Sequence, residues 1–244
     1  MTARDAVCIQ QSGKEVNKIV DDPADRLWIM ALKDTIYMVI RNDIVFGRLM
    51  PGERVTEASF AERFQCSRAP IREALNKLAQ NDFVELKPNQ GAVVTKISPE
   101  EVKSFYALLG LLEGKAVEWA TPKLTPSDVE QLLKINISLK KVARKRKAPL
   151  EEWITLNGRF HKYFRERCGN NRMDWLVEEI RIRISRYRYT SLMVAVFDTY
   201  IRDHGLIIDA VREGNARKAR DAMENHIERA KEELMSFFSR MPDF

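Results

Sequence analysis

The sequence predicts a mainly α-helical chain in two parts: three helices with a small β-hairpin, then an all-helical antiparallel bundle of about six helices. Three observations lead there. Apolar positions recur at helical spacing from Asp25 to Phe46 and again through residues 57–80. A single pair of β-prone runs flanks the turn residues Lys87-Pro88-Asn89-Gln90-Gly91. From Pro99 to Phe244 only helical lengths separated by breakers follow.

Residues 1–24 are polar and close on Asp21-Asp22-Pro23, the composition of a flexible N-terminal arm. Leu27, Leu32, Ile36, Val39, Ile40 and Ile44 then approximate one face of a first helix, which Gly47 and Pro51-Gly52 end. Thr56 caps the short segment EASFAERF, Cys66-Ser67 interrupt it, and SRAPIREALNKLAQ resumes with Ile71, Ala74, Leu75 and Leu78 on one face. Two short helices meeting at a tight turn, followed by the hairpin, complete a first domain over residues 25–96. A second, all-helical domain spans 99–240, divided at Thr121-Pro122, Thr125-Pro126, Ala148-Pro149, Gly169-Asn170-Asn171 and Gly214-Asn215. Within it, IRIRISRYRYT alternates apolar and basic residues as an exposed strand would. Its lead-in NRMDWLVEEI is strongly helical, and the helix reading is adopted.

Composition narrows the class. Of 244 residues, 45% are hydrophobic and 31% charged, the balance of a globular protein rather than a disordered or membrane one. No apolar run approaches the ~20 residues needed to cross a bilayer, so no membrane partner is expected. The first residues also lack the apolar stretch of a secretion signal. Cys8, Cys66 and Cys168 are odd in number, widely spaced and without metal-ligand pairing, which fits a reducing cytoplasm. Forty-one Lys and Arg against 35 Asp and Glu give a formal charge of +6, a mild bias toward polyanions.

Helix, tight turn, second helix and hairpin is the order of a winged helix-turn-helix, whose second short helix enters the major groove of double-stranded DNA by its N-terminal residues. Those residues are Ser67, Arg68, Ala69 and Arg72. Arg68 and Arg72 are four apart and share a face, leaving Ile71, Leu75 and Leu78 to hold the helix on the domain. Arginine is shaped for bidentate contact with guanine or phosphate, Ser67 can cap the helix and donate to a phosphate, and small Ala69 and Pro70 permit close approach. Asn89, Gln90 and Gly91 at the wing tip can reach the adjacent minor groove. Taken alone, the two arginines would read as a solvated helix surface; their context argues against it.

The three histidines all fall in the second domain. His161, His204 and His226 each interrupt an apolar stripe at helical spacing, so all three imidazoles are expected to point inward. A single inward histidine is more often a satisfied core residue than a ligand. Three from three helices can instead coordinate Zn²⁺ or a similar ion through neutral nitrogens, with Asn157 adding a carbonyl oxygen one turn before His161. Lys140, Lys141, Arg144, Lys145, Arg146 and Lys147 read as a solvated helix end. Arg181, Arg183, Arg186 and Arg188 either pair with acidic residues or line a ligand pocket, and the sequence leaves both open.

Residues 27–95 closely resemble the DNA-binding domain of the GntR family of bacterial regulators, through Pro51-Gly52, SRAPIREALNKL and Asn89-Gln90-Gly91. Phe60 stands where leucine is usual, and Asp82 where a glycine often precedes the first wing strand. Residues 99–238 resemble the FCD ligand-sensing domain of the FadR-type branch, through Leu112-Glu113, Asn157-Gly158-Arg159-Phe160-His161, Cys168-Gly169-Asn170, His204, Val211-Arg212-Glu213-Gly214-Asn215-Ala216 and His226. The resemblance implies a non-enzymatic transcription regulator, a repressor that binds a near-palindromic operator as a homodimer. It also implies a small carboxylate effector held at His161, His204 and His226, and a divalent metal, Zn²⁺ or Ni²⁺, held by an aspartate and three histidines. Here Asn157 replaces the aspartate, so metal affinity should fall, and Leu109 stands where an arginine commonly helps to hold the effector. Two rival readings are a metal-dependent hydrolase, opposed by the lack of an evident acid or base beside the histidines, and an effector-free DNA-binding protein whose histidines fill the core.

Overall fold

The computed structural model describes residues 23–88, 91–96, 98–145, 150–185 and 197–240. The first helix, α1 (Pro23–Val45), starts two residues inside the expected arm, because Pro23 suits a first helical turn where its missing N–H is not needed. The rest of the arm, the wing-tip residues Asn89 and Gln90, and Arg186 and Arg188 lie outside the described residues.

The head is built around Ile36, Ile40 and Ile44 of α1, which pack on the apolar face of α3. Helix α2 (Glu57–Phe64) opens with a capping box: Ser59 N donates to Thr56 Oγ1 at 3.1 Å, and Thr56 N donates to Ser59 Oγ at 3.4 Å. It ends at Gln65, whose φ of 50° reverses the chain into α3 (Arg68–Gln80). Pro70, Ile71, Ala74, Leu75 and Leu78 are the buried face of α3. The proposed close approach of Pro70 to DNA is therefore corrected: it packs inward, while Ala69 stays exposed.

The wing is larger than the expected hairpin. Strand β1 (Arg54–Val55), β2 (Val84–Lys87) and β3 (Gly91–Val94) form an antiparallel sheet in the order β1-β3-β2. A two-residue strand is too short to show alternation in sequence, and its pairing, Arg54 with Val93 and Val55 with Ala92, exists only through the fold. Asp82, at the position where glycine was expected, has φ of 60°, a conformation that aspartate tolerates better than most side chains.

Six further α-helices complete the described chain: α4 (Pro99–Ala120), α5 (Pro126–Ala143), α6 (Leu150–Arg165), α7 (Asn171–Ile184), α8 (Phe197–Arg212) and α9 (Ala216–Arg240). Their starts are set by local chemistry. Ser98 accepts from Glu101 N, Thr125 and Asp128 form a second capping box, and Asn170 accepts from Arg172 N. Helix α4 runs through the middle, packed along α9 and against α6 and α7, and α8 lies on α5 and α9. The helix reading of IRIRISRYRYT is observed as far as Ile184.

Helix α7 also reaches the head. Ile182 packs against the head's core, Arg41 of α1 donates through Nη2 to Ser185 Oγ at 3.1 Å, and Arg183 Nε lies 3.5 Å from Asp82 Oδ2. Arg41 stacks over the Phe83 ring at 5.7 Å.

Gly91 holds the sheet together sterically. Its φ is +86°, and a Cβ there would sit 2.5 Å from the Val55 carbonyl oxygen. Gly91→Ala is expected to lose about 1–3 kcal/mol of stability, measured by chemical denaturation, with the loss confined to the head in hydrogen exchange.

Candidate DNA face and buried histidine cavity

The first turn of α3 presents Ser67, Arg68, Ala69 and Arg72 to solvent on one side of the head. Ser67 is the N-cap residue, yet its side chain makes no capping bond, so the expected capping role is corrected and the hydroxyl is free to donate outward. Arg72 is not loose. Its Nε and Nη2 grip both carboxylate oxygens of Glu57 at 2.7 and 2.9 Å, tying the start of α3 to the start of α2. The hydrogen bond from Arg72 holds the Glu57 carboxyl below its ordinary pKa. Two of the five N–H donors of Arg72 are engaged, and three remain for phosphate or base. Sequence reasoning missed Glu57, which lies fifteen positions away with no spacing rule to link it.

The three histidines converge inside the bundle. His161 on α6, His204 on α8 and His226 on α9 are buried, and one ligand nitrogen from each lies within 4.8 Å of the others. Phe160 stacks on His204 at 3.8 Å between ring centres, fixing that ring's plane. Several polar atoms here have no hydrogen-bond partner among the described residues: Nδ1 of His161, both nitrogens of His204 and Oδ1 of Asn157. A buried polar atom without a hydrogen bond costs about 1–3 kcal/mol, so such a concentration is the mark of a site that receives something. Three imidazoles and an amide oxygen are a donor set that fits a divalent ion.

Two carboxylates stand behind the rings. Glu113 Oε2 is 3.7 Å from Nδ1 of His161, and Asp203 Oδ2 is 3.4 Å from Nδ1 of His226. Carboxylates in this position orient an imidazole and favour its Nε2 as the free nitrogen. Glu113 is itself fully buried, and its Oε1 accepts from Arg165 Nη1 at 3.1 Å and from Arg181 Nε and Nη2 at 3.0 and 2.6 Å. Burial alone would raise its pKa; the charge of Arg181 foremost, with that of Arg165, overrides this and keeps it ionised. A charged residue on the apolar stripe of α4 was the sequence signal for this hub.

Beside the histidines lies a cavity of about 90 Å³, lined by His161, His226, Asn157 and Arg181 and by apolar walls that include Leu109 and Trp153. Arg181 pairs with Glu113, as the first of its two open readings has it, and also lines this cavity. Leu109, where an effector-holding arginine was expected, is a buried wall residue.

A winged helix-turn-helix head on a helical bundle with a buried polar cavity defines a two-part DNA-binding protein with an internal ligand site. Comparison with known proteins agrees. Residues 104–229 match the FCD domain, and residues 32–94 match the bacterial regulatory proteins of the gntR family. The chain belongs to that family and carries its FCD domain: it is a DNA-binding transcription regulator.

The chain is 28% identical over 201 residues to the HTH-type transcriptional repressor RspR of Escherichia coli K12, covering 82% of this chain and 87% of that one. It is likewise 28% identical to the uncharacterized HTH-type regulator YdhC of Bacillus subtilis, over 78% and 85% of the two chains. Among solved structures, E. coli McbR/YncC superposes with a TM-score of 0.70 at 21% identity, over 84% of this chain and 97% of that one. No described helix is long and apolar enough to cross a membrane.

Burial drives the pKa of His161 down to about 3 and that of His204 well below the ordinary 6.5. Both therefore stay neutral in the fold but charge on unfolding as pH drops below about 6.5. In chelator-treated protein, stability should be complete above that pH. It should fall by roughly 1.4 kcal/mol per pH unit for each histidine, continuing toward pH 3 for His161. Urea unfolding at several pH values checks this, and His204→Leu should remove its share of the slope.

Proposed function

We propose that the protein is a cytoplasmic repressor that binds a near-palindromic operator as a homodimer and is controlled by a small carboxylate held in the histidine cavity. The observation that carries this reading is the set of unpartnered buried polar atoms on His161, His204 and Asn157 beside that cavity. A core built only for packing would not keep them. On the DNA side, each protomer places Ser67, Arg68, Ala69 and Arg72 in the major groove of one half-site, and Asn89, Gln90 and Gly91 approach the minor groove. Arg72, steered by Glu57, is set as a phosphate clamp, while Arg68 serves as the base reader.

His161, His204 and His226, with Oδ1 of Asn157, would hold a divalent ion such as Zn²⁺ or Ni²⁺. Bound there, the ion supplies a Lewis-acidic point with open positions for a ligand oxygen. The amide oxygen of Asn157 carries no net charge, so the site binds metal more weakly than one with a carboxylate in that place. The reading assigns no turnover: Glu113 and Asp203, the nearby carboxylates, lie on the histidines and are engaged with Arg181, Arg165 and Arg229.

Helix α7 supports the coupling. Arg181 and Ile184 face the cavity, while Ile182, Arg183 and Ser185 contact the head. A ligand that shifts this one turn of helix moves both.

Arg68→Ala and Arg72→Ala should each weaken operator binding by about 1–3 kcal/mol in fluorescence anisotropy with the melting temperature unchanged. Wild-type affinity in both variants would sink the recognition-helix assignment. Elemental mass spectrometry after Zn²⁺ or Ni²⁺ incubation is expected to find near one metal per chain, lost in a His161→Ala, His204→Ala double variant. No metal in the wild type would leave the cavity to direct ligand binding.

A further inference from the structure

The cavity wall carries one arginine whose hydrogen-bonding capacity is only partly used among the described residues. Glu113 is shared by two arginines, Arg165 and Arg181. Arg165 has two further carboxylates, Asp174 at 2.9 Å and Glu178. Arg181 has Glu113 alone among the described residues, although its side chain is only 9% exposed. Its bonds to Glu113 use Nε and one hydrogen of Nη2 on a single oxygen. A guanidinium has five N–H donors, so three remain, including both on Nη1.

We infer that Arg181 is the anion anchor of this cavity and that the acid it takes is a compact monocarboxylate with an apolar body, bound to the free guanidinium edge. This rests on the reading of the cavity as an effector site and says which acids enter it and what holds them. The free edge is planar and bidentate, the geometry a carboxylate matches best. Leu109, Ile154, Ile184 and Ile227 make up much of the remaining wall, which matches an apolar body on the acid better than a second charge. Size points the same way: a cavity of 90 Å³ is smaller than the ~150 Å³ space that accepts benzene, and suits roughly four to six non-hydrogen atoms. Glu113 acts as the positioning residue, holding the guanidinium with Oε1 while Oε2 faces His161, so anchor and imidazole share one support.

The test uses full-length protein, purified with chelator and then assayed with and without Zn²⁺, by calorimetry and thermal shift. The probes are acetate, propionate, isobutyrate, citrate and, as the uncharged isostere, propionamide. Propionate or isobutyrate should bind and raise the melting temperature, propionamide should not, and citrate should bind at least ten-fold more weakly. Arg181→Lys keeps the charge opposite Glu113 but loses the fork. It should melt near the wild-type temperature yet bind propionate at least ten-fold more weakly, and Arg181→Met should abolish binding.

If propionate binds Arg181→Lys as it binds wild type, or binds only with Zn²⁺ and irrespective of Arg181, the anchor assignment is overturned while the effector reading stands. Citrate binding more tightly than propionate overturns the monocarboxylate assignment. If none of the acids binds wild type in either metal state, the carboxylate reading of the cavity falls with it.

Discussion

The buried carboxylate of Glu113 is the constraint on which the bundle's interior is arranged. It sits on α4, the central helix, and is reached by Arg165 from the end of α6 and Arg181 from α7. Moving an ion of this size out of water carries a penalty of several kcal/mol, and only good geometry with added hydrogen bonds offsets it. Three N–H donors on one oxygen, and two guanidinium charges, provide that offset. Removing either arginine would leave an under-compensated charge in the core, so α4, α6 and α7 are held in one mutual register. The same carboxylate faces Nδ1 of His161, which carries the constraint from the ion cluster into the cavity.

Around this hub the interior divides into a satisfied half and an unsatisfied half. Glu113 Oε1, Arg165 and Asp203 have partners at hydrogen-bond distance, whereas His161 Nδ1, His204 and Asn157 Oδ1 have none. Burial keeps the imidazoles neutral, and a neutral imidazole is the form that can offer a lone pair. The unsatisfied half is therefore also the receptive half. Asn157 adds an oxygen without adding charge, which leaves the arginine, rather than an acidic ligand residue, as the electrostatic feature of the cavity.

Much of this was legible in the sequence, and the limits are physical. The short helices of the head followed from apolar spacing with breakers, because one face of each had to be buried and the breakers mark where it stops. The inward histidines followed from their place in apolar stripes. What periodicity cannot report is which side chains meet across the fold. Glu57 and Arg72 pair across a turn, Glu113 reaches Arg181 sixty-eight residues on, and strand β1 exists only by pairing with β3. Pro70 illustrates the opposite error: its neighbours Arg68 and Ala69 face outward, and only the phase of α3 fixes that Pro70 turns inward. Asp82 was visible as a departure, but its meaning, a residue with φ of 60° entering the wing, is conformational.

Helix α7 is the element that both lines the cavity and touches the head. Arg41 is largely buried there, its Nη2 donates to Ser185 Oγ, it stacks on Phe83 with the Glu178 carboxylate acting on it, and its Nε has no hydrogen bond among the described residues. The Arg183–Asp82 pair beside it is long at 3.5 Å and joins a half-buried arginine to an exposed carboxylate, so it contributes little. The joint thus combines one desolvated cation and one weak ion pair with the apolar contact of Ile182 on the head's core. A ligand changes DNA affinity only to the extent that it binds the two arrangements of that joint unequally. Arg181 and Ser185 lie four residues apart on the chain at the end of α7, so the cavity's guanidinium and the hydroxyl that Arg41 holds are about one helical turn apart.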